Sequence, residues 1–336
     1  MKKVEIIAEA GVNHNGKLSL AKRLAKYAKK AGADYIKFQI YNADEIATSN
    51  LKKAPYQKKN SINKNQSQKE MLKSLSLTHQ SFDELIDYCK KIKIKFLASV
   101  FDLKSLKYLQ QKTTIIKIGS SEITNFILLK HLALLDKKLI ISTGMCGIKE
   151  IQEAITFLRK NGQKNKIILL HCNTAYPTPY EDVNLLTITK LKSIFKEDIG
   201  YSDHALGNEV SFAAIALGSV IIEKHFTLDK NFKGPDHKIS CDFKELKLLV
   251  DGANKVSKSL NIKSGSLTNS EKKNHVLVKK YLVASKFINK GEKFTLKNIT
   301  AKRTGGGIDA RLFERIINKK AKKKFEIDQI IRIDEK

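Results

Sequence analysis

The chain has 336 residues, 42% of them hydrophobic, with 63 Lys and Arg against 34 Asp and Glu and a formal net charge of +29. That length suits one large domain with a modest appendage, and no apolar run approaches the roughly 20 residues of a membrane span. Lysine is spread through every segment without interleaved arginine and aromatics, which argues against nucleic-acid recognition and leaves steering of anionic substrates as the use of the charge.

From residue 1 to about 262, short β-type runs alternate with amphipathic helical stretches. The expected strands are Val4 to Ala10, Tyr35 to Gln39, Lys95 to Val100, Ile115 to Gly119, Lys138 to Ser142, Lys166 to His171, Asp198 to Ser202 and Val220 to His225. Between them, Leu18 to Ala31, Ser81 to Lys91, Lys149 to Lys160 and Asn208 to Leu217 carry helical periodicity. This alternation predicts an α/β fold, a (β/α)8 TIM barrel. A doubly wound open sheet is the weaker alternative, because no Gly-rich fingerprint follows the first strand. The polar stretch Asn42 to Thr78 breaks the rhythm and reads as a long loop, a candidate lid over the barrel mouth. Residues 263–276 have linker composition, and 277–336 hold short strands and turns that predict a small, mostly β domain. Cys89, Cys146, Cys172 and Cys241 show no CxxC spacing and read as small core residues. Val4 to Ala10 lacks the flanks of a cleavable signal, so the expected compartment is the cytoplasm.

Barrel enzymes place their chemistry at the C-terminal ends of the strands. The polar residues expected there are Glu9, with Asn13, His14 and Asn15 just beyond; Lys37 and Gln39; Ser99; Lys117, Ser120 and Glu122; Ser142; Asn173, Thr174 and Tyr176; and the pair His204 and His225. One strand-end histidine is more often a satisfied polar group than a ligand. Two at neighbouring strand ends, framed by Ser202, Asp203, Glu223 and Lys224, suit a divalent metal. Two imidazoles leave most positions to oxygen, the pattern of a site that polarises a carbonyl rather than a closed structural zinc. Lysines converging with hydroxyls suit a substrate bearing both carboxylate and phosphate.

Eight ordered segments resemble the sialic acid synthase family. They are Asn13-His14-Asn15-Gly16, Lys37-Phe38-Gln39, Lys117-Ile118-Gly119-Ser120, Ser142-Thr143-Gly144-Met145, Tyr176 to Leu185, Tyr201-Ser202-Asp203-His204, Glu223 to Asp229 and Gly234-Pro235-Asp236-His237. Members of that family make nonulosonic acids from phosphoenolpyruvate and an N-acylated mannosamine-type sugar, and the tail here resembles their antifreeze-like (SAF) domain. The resemblance implies that His204 and His225 hold a divalent ion, Mn2+ with Mg2+ or Co2+ as alternatives. It implies a phosphoenolpyruvate site of Lys37, Ser99, Lys117, Ser120, Ser142, Thr174 and Ser202, and sugar contacts from Gln39, Tyr176 and Asp236. Glu122, with Glu9, would manage protons or water. A domain-swapped homodimer is implied too, in which Arg303 of the small domain touches the acyl group in the partner's site. Ala98-Ser99-Val100-Phe101 departs from the usual Ser-Thr-Pro-Phe, which keeps a hydroxyl but removes a proline that would stiffen the loop. Thr304-Gly305-Gly306-Gly307 lacks the usual proline after the arginine.

The activity this implies is that of an N-acetylneuraminate synthase, a transferase condensing phosphoenolpyruvate with N-acetylmannosamine, the phosphate leaving by carbon–oxygen cleavage. The alternative is a legionaminate synthase using 2,4-diacetamido-2,4,6-trideoxymannose, since Glu122 to Asn125 and Asn173 to Tyr176 fit both sugars. A Schiff-base aldolase with Lys117 or Lys37 as nucleophile would not need the histidine pair. A carbohydrate- or nucleic-acid-binding protein would leave the strand-end residues without a purpose. The expected partners are therefore small-molecule substrates and a second copy of the chain, with no nucleic acid and no membrane.

Overall fold

The structure, a computed structural model, describes residues 3–54, 57–58, 65–262 and 264–332. It divides into two compact units, Met1–Asn261 and Ile262–Lys336. In the first, eight parallel strands close into a barrel in sequence order. They are β1 Glu5–Gly11, β2 Tyr35–Ile40, β3 Lys95–Val100, β4 Ile115–Ile118, β5 Lys138–Ser142, β6 Ile167–His171, β7 Asp198–Asp203 and β8 Ile221–His225. The predicted TIM barrel is borne out, and each strand end falls within one residue of its expected place. β8 closes on β1, with Glu9 opposite His225.

Strands covered on both faces read as near-continuous Ile, Leu and Val runs, and β6 is buried along its whole length. Successive side chains still alternate between the two faces. Ile7, Tyr35, Leu97, Ile140, Ile168, Leu170 and Ile221 turn inward and form an apolar plug inside the barrel. Their neighbours Ile6, Ile36, Ala98, Ile116, Leu139, Ile141, Leu169 and Ile222 face out and join the larger core under the helices. Helix Leu18–Ala31 meets that core with Ala21, Leu24, Ala25 and Ala28, spaced three or four apart. Gly32 ends it in the left-handed conformation, φ 93°.

Two sequence expectations are corrected. The stretch 42–78 is not simply a loop: it contains helices Ala43–Ile46 and Gln68–Leu75, the second started by a capping box of Ser67 and Glu70. Tyr41, Ala43, Met71 and Leu75 form a small apolar cluster with Val12 that holds these helices down. Part of that stretch, residues 55–56 and 59–64, lies outside the described residues. The proposed linker 263–276 contains most of helix Asn269–Val278, because Thr268 and Glu271 form a second capping box. Val100, which stands where the family usually has proline, is the fully buried last residue of β3. Of the cysteines, Cys89, Cys172 and Cys241 are buried and Cys146 only half-buried.

The second unit pairs β9, Lys280–Ala284, antiparallel with β10, Ile299–Arg303. Its core is small: Leu282, Ala284, Ile288, Phe294, Ile299, Phe325 and Ile331. Among the described residues no helix is long and apolar enough to cross a membrane.

Candidate active site

Two residues beyond the plug on five of the strands, the inward alternation turns polar. Glu9, Lys37, Ser99, Ser142 and Glu223 follow Ile7, Tyr35, Leu97, Ile140 and Ile221 at that spacing. They line a cavity of about 570 Å³ at the C-terminal mouth together with Gln39, Lys117, Ser120, Glu122, Thr174, Tyr176, Ser202, His204 and His225. Of the residues expected at the site, Asp236 lies behind this lining and Arg303 belongs to the second unit, where it stands exposed at the end of β10.

The mouth is built around two buried ammonium groups. Lys37 Nζ lies 3.0 Å from Glu9 Oε2 and 3.4 Å from Glu223 Oε1, and donates to Ser99 Oγ at 3.0 Å. Lys117 Nζ donates to Ser142 Oγ at 2.6 Å and to the Ile118 carbonyl at 3.1 Å. Burial works against the charge on both. For Lys37 the Glu223 and Glu9 carboxylates outweigh it and hold the ammonium firmly charged. Lys117 has no carboxylate so close, and burial pulls it below its ordinary range. The two glutamates also differ. Glu223 is held low because Lys117 and Lys37 outweigh its burial, whereas burial and the neighbouring Glu223 push Glu9 up despite Lys37. An unsatisfied oxygen remains on Glu223. The mouth thus sets two buried lysines and several hydroxyls against two carboxylates, a donor-rich lining suited to an anion carrying more than one charged group.

The histidine pair meets as expected. His204 and His225 have ring centroids 5.5 Å apart, with the Tyr176 ring 4.4 Å from the first and 5.9 Å from the second. Burial lowers both pKa values, so both rings are neutral. His204 Nδ1 donates to the Asn173 carbonyl, which leaves Nε2 with its lone pair. On His225 it is Nδ1 that is buried with no hydrogen-bond partner. Among the described residues no group of three or more His, Cys, Asp and Glu could hold a metal. Two neutral imidazoles, one with an orphaned ring nitrogen, fit a divalent ion whose remaining positions are filled by oxygen from substrate or water.

Alternation separates the framing residues that sequence grouped together. Asp203 and Lys224 point outward and pair at 2.8 Å, with Ser211 Oγ donating to the same carboxylate, so they tie β7 and β8 to helix Glu209–Ala216. Glu223, absent from the expected ligand set, is the central counter-charge of the mouth. Its position two residues before His225 on one strand was the available signal. Cys172 and Met145 also line the cavity. So do Ala54, Gln57, Gln68 and Leu72 from the 42–78 stretch, which agrees with its reading as a cover of the mouth.

Asn13, His14 and Asn15 serve to position rather than to face the mouth. Asn13 Nδ2 donates to the Phe226 carbonyl and Ser240 Oγ, and Asn15 Nδ2 to the Lys233 carbonyl. Thr227 Oγ1 meets His237 Nδ1 at 2.7 Å. This network stitches the loop after β1 to the loop carrying Asp236. Asp236 is buried near Glu9 and Tyr41, and burial followed by the Glu9 charge raises its pKa to about 7.

The fold and this strand-end array define a barrel with a polar, lysine-bearing cavity at the C-terminal mouth, and comparison with known proteins places it among enzymes. The sequence profile of the NeuB family matches residues 24–264 and that of the SAF domain residues 279–335. The chain belongs to the NeuB family, the nonulosonic acid synthases, and carries a SAF domain. It is 48% identical over 334 residues to the N,N'-diacetyllegionaminic acid synthase of Campylobacter jejuni, covering 99% of this chain and 100% of that one. It is 39% identical over 307 residues to the Legionella pneumophila protein of the same name, covering 90% and 86%. The crystal structure of an N-acetylneuraminic acid synthetase from Leptospira borgpetersenii, solved with citrate, matches at TM-score 0.71 and 36% identity, over 82% of this chain and 90% of that one.

Proposed function

We propose that this synthase condenses phosphoenolpyruvate with 2,4-diacetamido-2,4,6-trideoxymannose to form N,N'-diacetyllegionaminic acid. The observation that carries the chemistry is the pair of buried ammonium groups, Lys37 and Lys117, each held by a serine hydroxyl at the barrel mouth. The choice of sugar rests on end-to-end identity with the Campylobacter enzyme of that name, which reverses the order of preference given by sequence alone. N-acetylmannosamine remains the second reading, favoured by the likeness to the Leptospira structure.

In this scheme Lys37 and Lys117 neutralise the phosphate and carboxylate of phosphoenolpyruvate, while Ser99, Ser120, Ser142, Thr174 and Ser202 orient its oxygens. Gln39 and Tyr176 hold the sugar. A divalent ion on His204 and His225, Mn2+ with Mg2+ or Co2+ as alternatives, would supply Lewis-acid polarisation of the sugar aldehyde. The enol carbon bonds to the aldehyde carbon, and the new alkoxide takes up a proton held by the neighbouring Glu9 and Asp236 carboxyls, of which burial keeps Asp236 the more readily protonated. Water then adds to the carbon that carries the phosphate, its proton passing to Glu122. That carboxylate is oriented by Ser121 Oγ and Asn125 Nδ2 at the rim. Collapse of the intermediate breaks the carbon–oxygen bond, so the bridging oxygen leaves with phosphate.

A swapped homodimer belongs to the same proposal. Its support is the family resemblance and Arg303, whose exposed side chain makes no hydrogen bond or ion pair among the described residues.

Steady-state kinetics with each sugar, at saturating phosphoenolpyruvate and Mn2+, test the reading. A kcat/KM at least tenfold higher for the diacetamido sugar is expected, equivalent to roughly 1.4 kcal/mol of transition-state discrimination. Equal or reversed values overturn the sugar assignment. No turnover with either overturns the condensation itself.

A further inference from the structure

The alternation that builds the active site also runs the other way. Two residues before the plug, at the N-terminal end of the barrel, the inward-facing positions are Glu5, Lys95, Lys138, Lys166, Asp198 and Ser219. They line a second cavity, of about 520 Å³, to which Lys192, Gly218 and Ser257 also contribute. The apolar plug, including Ile7, Leu97, Ile140 and Ile221, separates it from the active site.

Most charges in this lower layer are matched. Lys95 pairs with Glu5 at 3.1 Å, Lys166 pairs with Asp198, and Lys3 at the edge pairs with Asp34 at 2.7 Å. Lys138 is the exception. It is half-buried, and among the described residues its ammonium has no hydrogen bond or ion pair. The charges that act on it are Glu5, Lys166, Lys95 and Asp198, and burial with the two lysines depresses its pKa. Among the other residues that line the cavity, two hydroxyls, Ser219 Oγ and Ser257 Oγ, are buried with no hydrogen-bond partner, and Ser219 is only 2% exposed. Leaving such groups unsatisfied is destabilising. Gly218 adds a third feature. It has φ +92°, and a Cβ there would stand 2.2 Å from Lys192 Nζ, so the glycine keeps room for that ammonium.

We propose that this basal cavity is a binding site for a small phosphoryl-bearing anion, with Lys138 as its central cation and Ser219 and Ser257 as hydroxyl donors. An anion there gives a counter-charge to Lys138 and to Lys192, which lines the same cavity with only the Leu217 carbonyl as a partner among the described residues. The volume falls in the range of about 300–1,000 Å³ usual for small-molecule sites. No arginine lines the cavity, so the planar fork that favours bidentate carboxylate recognition is missing, while lysine ammoniums act as point charges suited to a phosphoryl group. The site is independent of the sugar assignment, since it lies on the far side of the plug.

Tungstate soaked into crystals of the full-length protein locates such sites by anomalous scattering, and the mouth lysines provide an internal control. The wild type is expected to show one peak at the mouth and a second within hydrogen-bond reach of Lys138 Nζ and Ser219 Oγ. In Lys138→Met the second is lost and the first kept. A mouth peak with none at the base overturns the proposal, as does a basal peak that survives Lys138→Met. In solution, the rise in Tm produced by inorganic phosphate should be smaller for Lys138→Met than for wild type, with turnover of the variant retained. An equal rise in both proteins marks basal binding as an adventitious ion only. A Lys138-dependent rise of the same size with succinate overturns the phosphoryl class.

Discussion

Replacing Asp236 by Asn isolates one buried carboxyl whose protonation links folding to pH. Asp236 is 7% exposed, faces Glu9 and Tyr41, and has its pKa raised from 3.8 to about 7, first by burial and then by the Glu9 charge. A raised acid binds its proton more tightly when folded. Its contribution is therefore fully present below the unfolded value and is lost as pH rises through the folded one. Between pH 5 and pH 8 that loss integrates to roughly 2–3 kcal/mol, from about 1.4 kcal/mol per unit over the part of the shift that falls in this window. Asparagine has the same shape and no titration. Urea unfolding of wild type and Asp236→Asn, followed by far-UV circular dichroism at both pH values, should show the difference in unfolding free energy moving toward the variant by about 2–3 kcal/mol from pH 5 to pH 8. A difference that stays constant within about 0.5 kcal/mol would mean that Asp236 is ionised in the folded protein, and the account of its electrostatics would fail.

The other predictions concern packing, metal, anion and assembly. A Cβ on Gly200 would stand 2.4 Å from Ile221 Cγ2 and 2.7 Å from the Ile221 carbonyl oxygen, so Gly200→Ala should cost about 3 kcal/mol or more. A calorimetric Tm unchanged from wild type would refute the tight β7–β8 approach. His204→Ala and His225→Ala should each weaken Mn2+ binding, read by titration calorimetry without substrates, by at least about tenfold; unchanged affinity excludes the imidazole pair as ligands. Lys117→Met should lower kcat/KM for phosphoenolpyruvate by at least about 100-fold, and a smaller loss would move the anion site elsewhere. Mixing Arg303→Ala with His225→Ala chains under proven subunit exchange should restore part of the activity each lacks, and no recovery argues against the swapped dimer.

The barrel was legible because period-2 and period-3.6 hydrophobicity alternate down the chain, and a parallel strand buried on both faces leaves an apolar run that ends abruptly. That abruptness also located the mouth: Lys37, Ser99, Ser142 and His225 stand where such runs stop. What sequence obscured was facing. Asp203 and Lys224 sit one residue away from Ser202 and Glu223, look equally functional in a string of letters, and point to the opposite side of the sheet. Glu223 was passed over for its louder neighbour His225, although the two share a face. The capping boxes at Ser67 and Thr268 were readable as helix starts, but their polar surroundings read as loop and linker because polar composition alone carries no period. Asn13 to Asn15 belong to the clamp that holds the Asp236 loop, a contact more than 200 residues away in sequence that no local pattern encodes.

The fate of the bridging oxygen tests the central chemistry most directly. Full-length enzyme with Mn2+, the diacetamido trideoxy sugar and phosphoenolpyruvate labelled with 18O in its bridging position gives products that a single mass spectrum resolves. Cleavage of the carbon–oxygen bond gives a nonulosonic acid free of label together with phosphate that carries one 18O. Label retained in the sugar acid, with unlabelled phosphate, would place the cleavage at phosphorus and contradict attack of water on carbon.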